Sequence, residues 1–295
     1  MATPPPIAFL TTREVAEMLR VKERKVYDMA AEGTIPCRRI TGKLLFPKVE
    51  IEAWLSGGTP APSRATAAPD VIAGSHDPLL DWAIRESRCG LATFFDGSLD
   101  GLERLAAGQA IAAGAHIFEP ERDDWNLGHV GQRLGDAPVV VVGWARRQQG
   151  ILLGTALAGK VGSVADLNGL RVTRRQPSAG GAVLFDHLLA DAGLSAADLA
   201  DVPECARTET DAAAAVASGA ADAAPGLEAV ARQFGLAFQP TMVERFDLIV
   251  DRRAWFEPPM QALLAFARSD RFRDKAADLG GYEISSLGEV RWNGP

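Results

Sequence analysis

The chain has 295 residues, of which 47% are hydrophobic and 23% charged, and its formal net charge is −7. This is the composition of an ordinary globular protein, and a chain of this length is expected to form two domains or more. No run of 18 apolar residues occurs, which excludes a membrane-spanning helix. Three isolated cysteines and four scattered histidines form no disulfide framework or metal-ligand spacing, so we expect neither a metal nor a cofactor. The opening residues, MATPPPIAF, lack the regions of a secretory signal, and we therefore expect a cytoplasmic protein with no membrane partner.

Basic charge is concentrated near the N-terminus. Residues 1–58 hold nine Lys/Arg against seven Asp/Glu, a net of +2, whereas the remainder holds 22 against 31, a net of −9. Within residues 20–48 the count is eight basic to three acidic, a net of +5. A local positive surface of this kind is what contact with nucleic-acid phosphates requires.

The first predicted elements are two short helices. Thr11-x-x-Glu14 has the spacing of a capping box, so a helix is expected over about 12–19. A second helix is expected over about 22–32, ended by Gly33. Its outward face carries long polar side chains that can reach base edges and phosphates in a major groove.

A hairpin and a third helix follow. Residues 37–40 alternate in polarity, turn at Thr41-Gly42-Lys43 and return through 44–46, which predicts a small wing. Pro47 then opens a third helix. The apolar residues of this helix that would close a small core are Val49, Ile51, Trp54 and Leu55.

Four motifs occur in one order between Phe9 and Leu55: L-T-x-x-E-V-A, V-Y in the second helix, E-G-x-I-P at its end, and G-K-x-x-F before I-E-A-W-L. The stretch therefore resembles the winged helix-turn-helix of the MerR/excisionase kind from end to end. The resemblance implies a DNA-binding domain over residues 1–55, with double-stranded DNA as its partner.

The resemblance also places the DNA-reading side chains on the second helix and the wing. They are Lys22, Glu23, Arg24, Tyr27, Asp28, Arg38, Arg39 and Lys43. Glu23 and Asp28 depart from the basic or hydroxyl residues that are more usual there. Because carboxylates accept from cytosine N4 but repel phosphate, whether these two read bases stays open. For Arg24 and the wing arginines the alternative is a solvated surface.

A change of composition separates this module from the rest of the chain. Residues 56–70, SGGTPAPSRATAAPD, predict a semi-flexible linker, and the opening MATPPP is expected to be disordered. From residue 71 onward, short apolar strands alternate with helices, which predicts an α/β fold with mostly parallel sheets. Strands are expected near 71–74, 91–95, 115–118, 138–145, 171–175, 222–224 and 246–250. Helices are expected near 77–87, 98–107, 125–134, 179–192, 210–218, 226–233 and 258–278.

Small polar or glycine-rich segments stand at several strand-to-helix junctions, where α/β proteins bind ligands with helix N-termini. They are Gly74-Ser75-His76-Asp77, Asp96-Gly97-Ser98, Arg174 to Gly181, and Glu209-Thr210-Asp211. Each can donate hydrogen bonds to a small anion, although a polar residue in this position is ordinarily only a helix cap.

Longer landmarks contain these segments: GSHD at 74–77, GSLDGLERLAAGQA at 97–110, AGAHIF at 113–118, RRQQG at 146–150, NGLRVTRRQPSAG at 168–180 and TETDAAAAVASGAAD at 208–222. They resemble the type 2 periplasmic-binding-protein fold, in its molybdate-binding-like branch fused to a helix-turn-helix. The resemblance implies a two-lobed effector domain over 71–295, with lobe two at about 156–240 and crossover strands near 150–158 and 235–245. The candidate ligand-binding residues are Ser75, His76, Gly97, Ser98, Arg174, Arg175, Gln176, Ser178, Ala179 and Thr210.

One departure from the related pattern bears on the ligand. That pattern reads G-S-G-T-R after the R-Q pair, whereas residues 177–182 here lack the terminal arginine. An anion would depend on Arg174 or Arg175 together with serine hydroxyls and backbone N–H groups, and a surface ion pair is the alternative for both arginines. Molybdate or tungstate is the leading ligand and a small organic metabolite is the alternative. His76 and His116 could donate to an oxyanion or be structural.

Together the two parts predict a transcription regulator that responds to an effector and binds a repeated or palindromic site as a homodimer. An enzyme on the binding-protein fold is less expected, because no Ser-His-Asp set, Cys-His pair or G-x-x-x-x-G-K loop is recognised and no catalytic residue is assigned. An excisionase-like accessory protein would explain only residues 8–55. A transport binding protein is disfavoured by the DNA-binding module and the missing signal.

Overall fold

The computed structural model describes residues 9–32, 34–40, 43–55, 68–200, 202 and 205–295. The chain divides into two compact units, Met1–Ala67 and Ala68–Pro295, which are described separately. In the described ranges, no helix has the length and apolar character needed to cross a membrane. The predictions made for the opening residues, for Gly33, for the turn at 41–42 and for linker residues 56–67 lie outside the described residues.

The first unit contains β1 (Phe9–Thr11), α1 (Thr12–Leu19), α2 (Glu23–Ala31), β2 (Arg38–Ile40), β3 (Lys43–Pro47) and α3 (Lys48–Leu55). Its antiparallel sheet has the order β1-β3-β2, so a short strand that was not predicted covers the outer edge of the hairpin. The predicted capping box is confirmed: Thr11 Oγ1 accepts from the Glu14 amide at 3.3 Å, and Glu14 Oε2 accepts from the Thr11 amide at 2.7 Å.

A small apolar core holds this unit together. Val15 of α1, Val26 of α2, Phe46 of β3 and Ile51 of α3 are fully buried against one another. Full burial of such a side chain contributes about 1.5–3 kcal/mol each, which a domain this small needs in order to stay folded. Arg20 adopts φ 55°, a left-handed conformation that ends α1 and turns the chain into α2.

The second unit begins with β4 (Val71–Gly74), α4 (Pro78–Ser87), β5 (Ala92–Phe95), α5 (Ser98–Ala106), β6 (Ala112–Ala115), β7 (Phe118–Glu119), β8 (Asp124–Trp125) and α6 (Leu127–Leu134). It continues with β9 (Val139–Leu153), α7 (Gly180–Asp191), α8 (Glu209–Ala217), β10 (Ala223–Leu227), α9 (Glu228–Phe234) and β11 (Ala237–Asp251). It ends with α10 (Pro258–Ala267), α11 (Asp270–Leu279), β12 (Tyr282–Glu283) and β13 (Val290–Asn293). The predicted α/β class and two-lobed binding-protein-like fold are confirmed.

One sheet runs through both lobes, in the order β10-β9-β11-β6-β4-β5, with β12 and β13 also paired to β9. The 15-residue strands β9 and β11 lie antiparallel over their whole length and carry the chain from lobe one to lobe two and back. Lobe one has a core that includes Ile72, Trp144 and Phe246, whereas the core of lobe two includes Leu152 and Val230.

Several element predictions need correction. Crossovers were expected near 150–158 and 235–245, apart from strands 138–145 and 246–250, but each pair is one continuous strand. The sheets are not mostly parallel: among the strands of the described residues, β4 pairs in parallel with β5 and β6, and the other strand pairs are antiparallel. The long crossover strands must run in opposite directions to leave one lobe and return.

Other boundaries shift for local reasons. The strand expected at 115–118 lies at Ala112–Ala115, and the one expected at 171–175 is reduced to isolated bridges. The helix expected over 258–278 is two helices, since Ser269 caps the second of them by accepting from the Phe272 amide at 3.3 Å.

Candidate functional site

In the first unit, one face of α2 is a candidate DNA-binding surface. Val26 is fully buried in the core, whereas the predicted contact residues around it point to solvent. The exposed side chains at the start and along the outer face of the helix are Lys22, Glu23, Arg24, Lys25, Tyr27 and Asp28. Tyr27 is 51% exposed.

The predicted contact residues of the wing differ in their surroundings. Arg38 is half-buried and donates to Glu50 Oε1 at 2.9 Å, so its charge is already shared with α3. Lys43 at the start of β3 is exposed. The side chain of Arg39 lies outside the described residues.

In the second unit, the loops that follow β4, β5 and β6 place polar side chains at the inner edge of lobe one. Ser75, Ser98 and His116 are each 0–1% exposed although all three are polar. Gly74 adopts φ 101° and its missing side chain lets the backbone of Gly114 approach, which brings β4 and β6 together here. Ser98 Oγ accepts from the His116 amide at 3.2 Å.

Ser75, His116 and Glu244 form a continuous hydrogen-bonded chain. His116 Nε2 lies 2.8 Å from Ser75 Oγ, and His116 Nδ1 lies 2.7 Å from Glu244 Oε2. A serine, a histidine and a carboxylate in this order are the arrangement that activates a hydroxyl in serine hydrolases. No set of this kind was expected from the sequence, and the geometry corrects that expectation.

Arg147 connects this chain to a second buried carboxylate. Its guanidinium lies 3.0 Å from Asp77 Oδ2, contacts Glu244 Oε1, and sits 4.3 Å from the centre of the Phe246 ring. Asp77 also accepts from Tyr282 Oη at 2.6 Å. Asp77, Arg147 and Glu244 therefore each have a partner of opposite charge.

The pKa directions follow from this pairing. Burial alone would lower the pKa of Arg147, but Glu244 and Asp77 hold it above its ordinary value. Burial alone would raise the pKa of Glu244, but Arg147 and His116 hold it below its ordinary value. Burial, followed by Asp77, raises the pKa of the Tyr282 phenol. The Glu244 carboxylate and the Arg147 guanidinium are therefore charged at neutral pH.

Lobe two contributes a second buried ion pair. Arg175 is 5% exposed and Glu209, the first residue of α8, is 2% exposed, and their side chains are hydrogen-bonded. Arg175 also donates to the carbonyls of Ala206 at 3.2 Å and Arg207 at 2.8 Å. All three guanidinium nitrogens are thus engaged by protein oxygens.

The two lobes touch each other across the cleft. The Asp96 carbonyl in lobe one accepts from Ser178 Oγ at 3.1 Å and from Gln176 Nε2 at 3.2 Å. The Leu99 amide donates to the Ser178 carbonyl at 3.1 Å. A β-carbon built on Gly180 would lie 2.5 Å from the His116 carbonyl, so the first turn of α7 packs directly against lobe one. The cleft is closed.

Most of the predicted ligand residues are brought together at this closed cleft. Besides the residues already described, Gly97 is the N-cap of α5 at φ 114° and Ala179 is the buried N-cap of α7. His76 is half-buried and meets Phe95 edge-on at 5.6 Å between ring centroids. Arg174 is not brought to the cleft, because its side chain is exposed and bonded to Asp186 at 2.6 Å. Thr210 follows Glu209 in α8 and is half-buried.

Four charged residues of the cleft were not assigned from the sequence: Asp77, Arg147, Glu209 and Glu244. All four are buried. Arg147 and Glu244 lie within long strands beside other polar residues, so the sequence gives no separate signal for them. Within the described residues, His, Cys, Asp and Glu side chains do not cluster in threes suited to a metal ion.

Comparisons with known proteins agree with this division of the chain. A family model described as the PBP superfamily domain matches residues 82–268, and one described as a helix-turn-helix domain matches residues 9–59. YvgK of Bacillus subtilis, an uncharacterised protein, is 23% identical over 299 residues, with 95% of this chain and 96% of that protein covered.

A solved structure has the fold of the second unit. A substrate-binding protein of Clostridium perfringens with bound phosphate superimposes with a TM-score of 0.54 at 12% identity, covering 72% of this chain and 98% of that one. CbnR, a LysR family transcriptional regulator, covers 88% of this chain and 94% of its own, with a TM-score of 0.43 and 17% identity.

Proposed function

The chain belongs to the PBP superfamily, and on that premise we propose that it is a transcription regulator whose DNA affinity is set by a small molecule held between the two lobes. The observation that carries the proposal is the pairing of a helix-turn-helix domain with a closed cleft lined by buried polar groups in one chain. A regulator of this kind works beside the chromosome, in the cytoplasm.

Differential binding supplies the coupling. A ligand that contacts both lobes stabilises the closed cleft relative to an open one. It changes DNA affinity only if the open and closed states differ in their affinity for the ligand and also in their affinity for DNA. A single module of this size contacts few base pairs, so we expect a homodimer that reads a repeated or palindromic site. Lys22, Glu23, Arg24, Tyr27 and Asp28 would enter the groove. The wing residues Arg38, Arg39 and Lys43 would lie beside it.

The effector class has two candidates. Molybdate or tungstate is the effector that the resemblance to molybdate-binding-like regulators implies, and a small organic metabolite is the alternative. Either would contact the predicted cleft residues, which are Ser75, His76, Gly97, Ser98, Arg175, Gln176, Ser178, Ala179 and Thr210, with Arg174 farther out on the surface.

Selection of DNA and titration of its affinity test the proposal. Duplexes are selected from a random pool with the full chain, and their affinity is measured by fluorescence anisotropy with and without molybdate, tungstate, phosphate and a deproteinised extract of bacterial cells. We expect one of these additions to change the affinity by about 5- to 150-fold. Selection of no duplex would refute DNA binding. An affinity that none of them changes would refute effector control.

Hydrolysis is a second candidate function, because Ser75, His116 and Glu244 are aligned as in a serine hydrolase. We rank it below regulation, since Ser75 is 1% exposed in the closed cleft and Glu244 also holds Arg147. Turnover of p-nitrophenyl acetate by the full chain, lost in Ser75→Ala, would favour the enzyme. No difference between the two proteins would favour the regulator.

A further inference from the structure

One oxygen of the Glu209 carboxylate is buried without a partner among the described residues. Glu209 Oε1 is bonded to Arg175, whereas Oε2 has no hydrogen-bond donor. The whole residue is only 2% exposed. A buried carboxylate oxygen left without a donor costs free energy, so its position calls for a donor from outside the chain.

The space around this carboxylate is bounded by glycines and faces lobe one. A β-carbon built on Gly181 would lie 3.9 Å from Glu209 Oε1 and from His116 Cε1, so this position adjoins both lobes. A β-carbon built on Gly226 would lie 3.3 Å from Glu209 Oε2. Neither position places a β-carbon against the carboxylate, although the Leu152 side chain also lies beside Gly226, 2.8 Å from that β-carbon.

A second acceptor lies close to the same ion pair. Gln176 Nε2 donates to two carbonyls, those of Asp96 and Arg207, which fixes the orientation of the amide. Gln176 Oε1 is therefore an acceptor, and it too is buried without a partner. Glu209 Oε2 and Gln176 Oε1 can therefore each accept a hydrogen bond from an N–H or O–H group of a ligand.

The balance of charges in the cleft also favours a ligand that donates hydrogen bonds over an anion. Two buried guanidinium groups, Arg147 and Arg175, face three buried carboxylates, Asp77, Glu209 and Glu244. Arg147 is ion-paired with Asp77 and Glu244 and Arg175 with Glu209, so neither charge is free to neutralise a dianion, although Arg147 Nε is buried without a hydrogen-bond acceptor. A fully ionised oxyanion beside Glu209 would add like charge in a site shielded from water, which is strongly unfavourable.

We infer that the effector is a small organic cation that donates an N–H group to Glu209 Oε2, with the amide oxygen of Gln176 as a second acceptor. The inference rests on the proposed function, because it assigns a ligand class to the same cleft. It favours an amine-bearing metabolite over molybdate and tungstate. Neither of these oxyanions carries a proton to donate at neutral pH.

Thermal-shift and calorimetric titrations of the full chain test this assignment. The cationic probes are putrescine, agmatine and L-arginine, and the oxyanion probes are molybdate, tungstate and sulfate. We expect at least one cationic probe to raise the Tm and none of the oxyanions to do so. Failure of all three cationic probes, or stabilisation by a fully ionised oxyanion, overturns the inference.

Two variants test whether the negative charge of Glu209 strengthens binding of a cationic probe. Glu209→Gln removes the charge and should weaken binding of the cationic probe about tenfold or more, because a charge-assisted hydrogen bond is lost. Asp186→Asn makes the same charge change on the surface of lobe two, where the side chain is 56% exposed, and should leave probe affinity unchanged. Equal affinity in Glu209→Gln and the parent chain overturns the assignment. If Glu209→Gln fails to fold, the comparison of cationic with oxyanion probes on the parent chain tests the assignment.

The DNA measurement separates this inference from the proposed function. A cationic probe that binds through Glu209 and leaves DNA affinity unchanged supports the inference and refutes effector control. An oxyanion that changes DNA affinity supports effector control and refutes the inference.

Discussion

The two candidate surfaces of this protein use charge in opposite ways. On α2, charged side chains such as Arg24 and Lys25 are exposed to solvent. In the cleft, Arg147 and Arg175 are 1% and 5% exposed and are bound to carboxylates of the same chain. An exposed and screened surface suits a polyanion whose contacts are numerous and individually weak, whereas a buried and balanced cluster suits one ligand of defined shape and charge.

The difference also predicts where stability resides. Exposed charges contribute little to the folded state because water and salt screen them. Buried charges are costly to separate, because removal of one partner leaves another without compensation. Substitutions in the first surface should therefore change DNA binding more than folding, and substitutions in the second should change folding or ligand response.

The largest effect is expected from Arg147→Met. The change removes the guanidinium that pairs with buried Asp77 and Glu244, which should cost about 3–5 kcal/mol and lower the Tm of the second unit by about 6–20 °C. Scanning calorimetry of the full chain measures this shift. Arg146→Met, one position earlier in β9 and 52% exposed, is the matched control and should change the Tm little. Equal changes of Tm in Arg147→Met and Arg146→Met would contradict the claim that buried charges contribute more to stability than exposed ones.

A smaller effect is expected for Arg24→Ala on α2. Loss of one phosphate contact should weaken binding to a selected duplex several-fold, and lower the slope of log affinity against log salt by about 0.9. Anisotropy titrations between 50 and 200 mM salt, roughly the range over which such slopes are resolved, give both quantities. Arg85→Ala removes an exposed arginine from α4 and should change neither one. An unchanged slope in Arg24→Ala would place this side chain away from the phosphates.

The smallest effect concerns pH. Burial lowers the pKa of His76 below its ordinary 6.5, although Asp77 and Glu209 oppose this shift. The unfolded chain therefore binds a proton at this histidine more readily, so the contribution of His76 to stability is full above pH 6.5 and is lost as the pH drops below it. His76→Asn should flatten part of this dependence in scans from pH 8 to pH 5, while His129, whose pKa burial also lowers, retains its share. Identical pH profiles would contradict the burial of His76.

The first unit was predictable because its signals are local. Thr11 and Glu14 are three residues apart and form the capping box that their spacing predicts. The buried positions Val15 and Val26 follow helical periodicity, and the motifs between Phe9 and Leu55 read in chain order. The short strand β1 was missed because three residues carry no periodic pattern.

The cleft was predictable only in outline because its partners are distant in sequence. Ser75 and His116 are separated by 41 positions, and His116 and Glu244 by 128. Loop glycines and serines mark where strands end, so the loops that line the cleft could be located. The charged partners come from the middle of β9 and β11, and only the antiparallel register of these strands brings Arg147 opposite Glu244.

The central claim is that closure of the cleft controls DNA affinity, and Gly180→Ala tests it most directly. The added methyl would meet the His116 carbonyl at 2.5 Å and Ser98 Oγ at 2.9 Å, so it wedges the lobes apart. Gly131→Ala is the control, since nothing lies within 4 Å of its added methyl. We predict that a small-molecule extract of bacterial cells changes the DNA affinity of the parent chain and of Gly131→Ala, but not that of Gly180→Ala. A Gly180→Ala chain that responds like the parent would contradict the account.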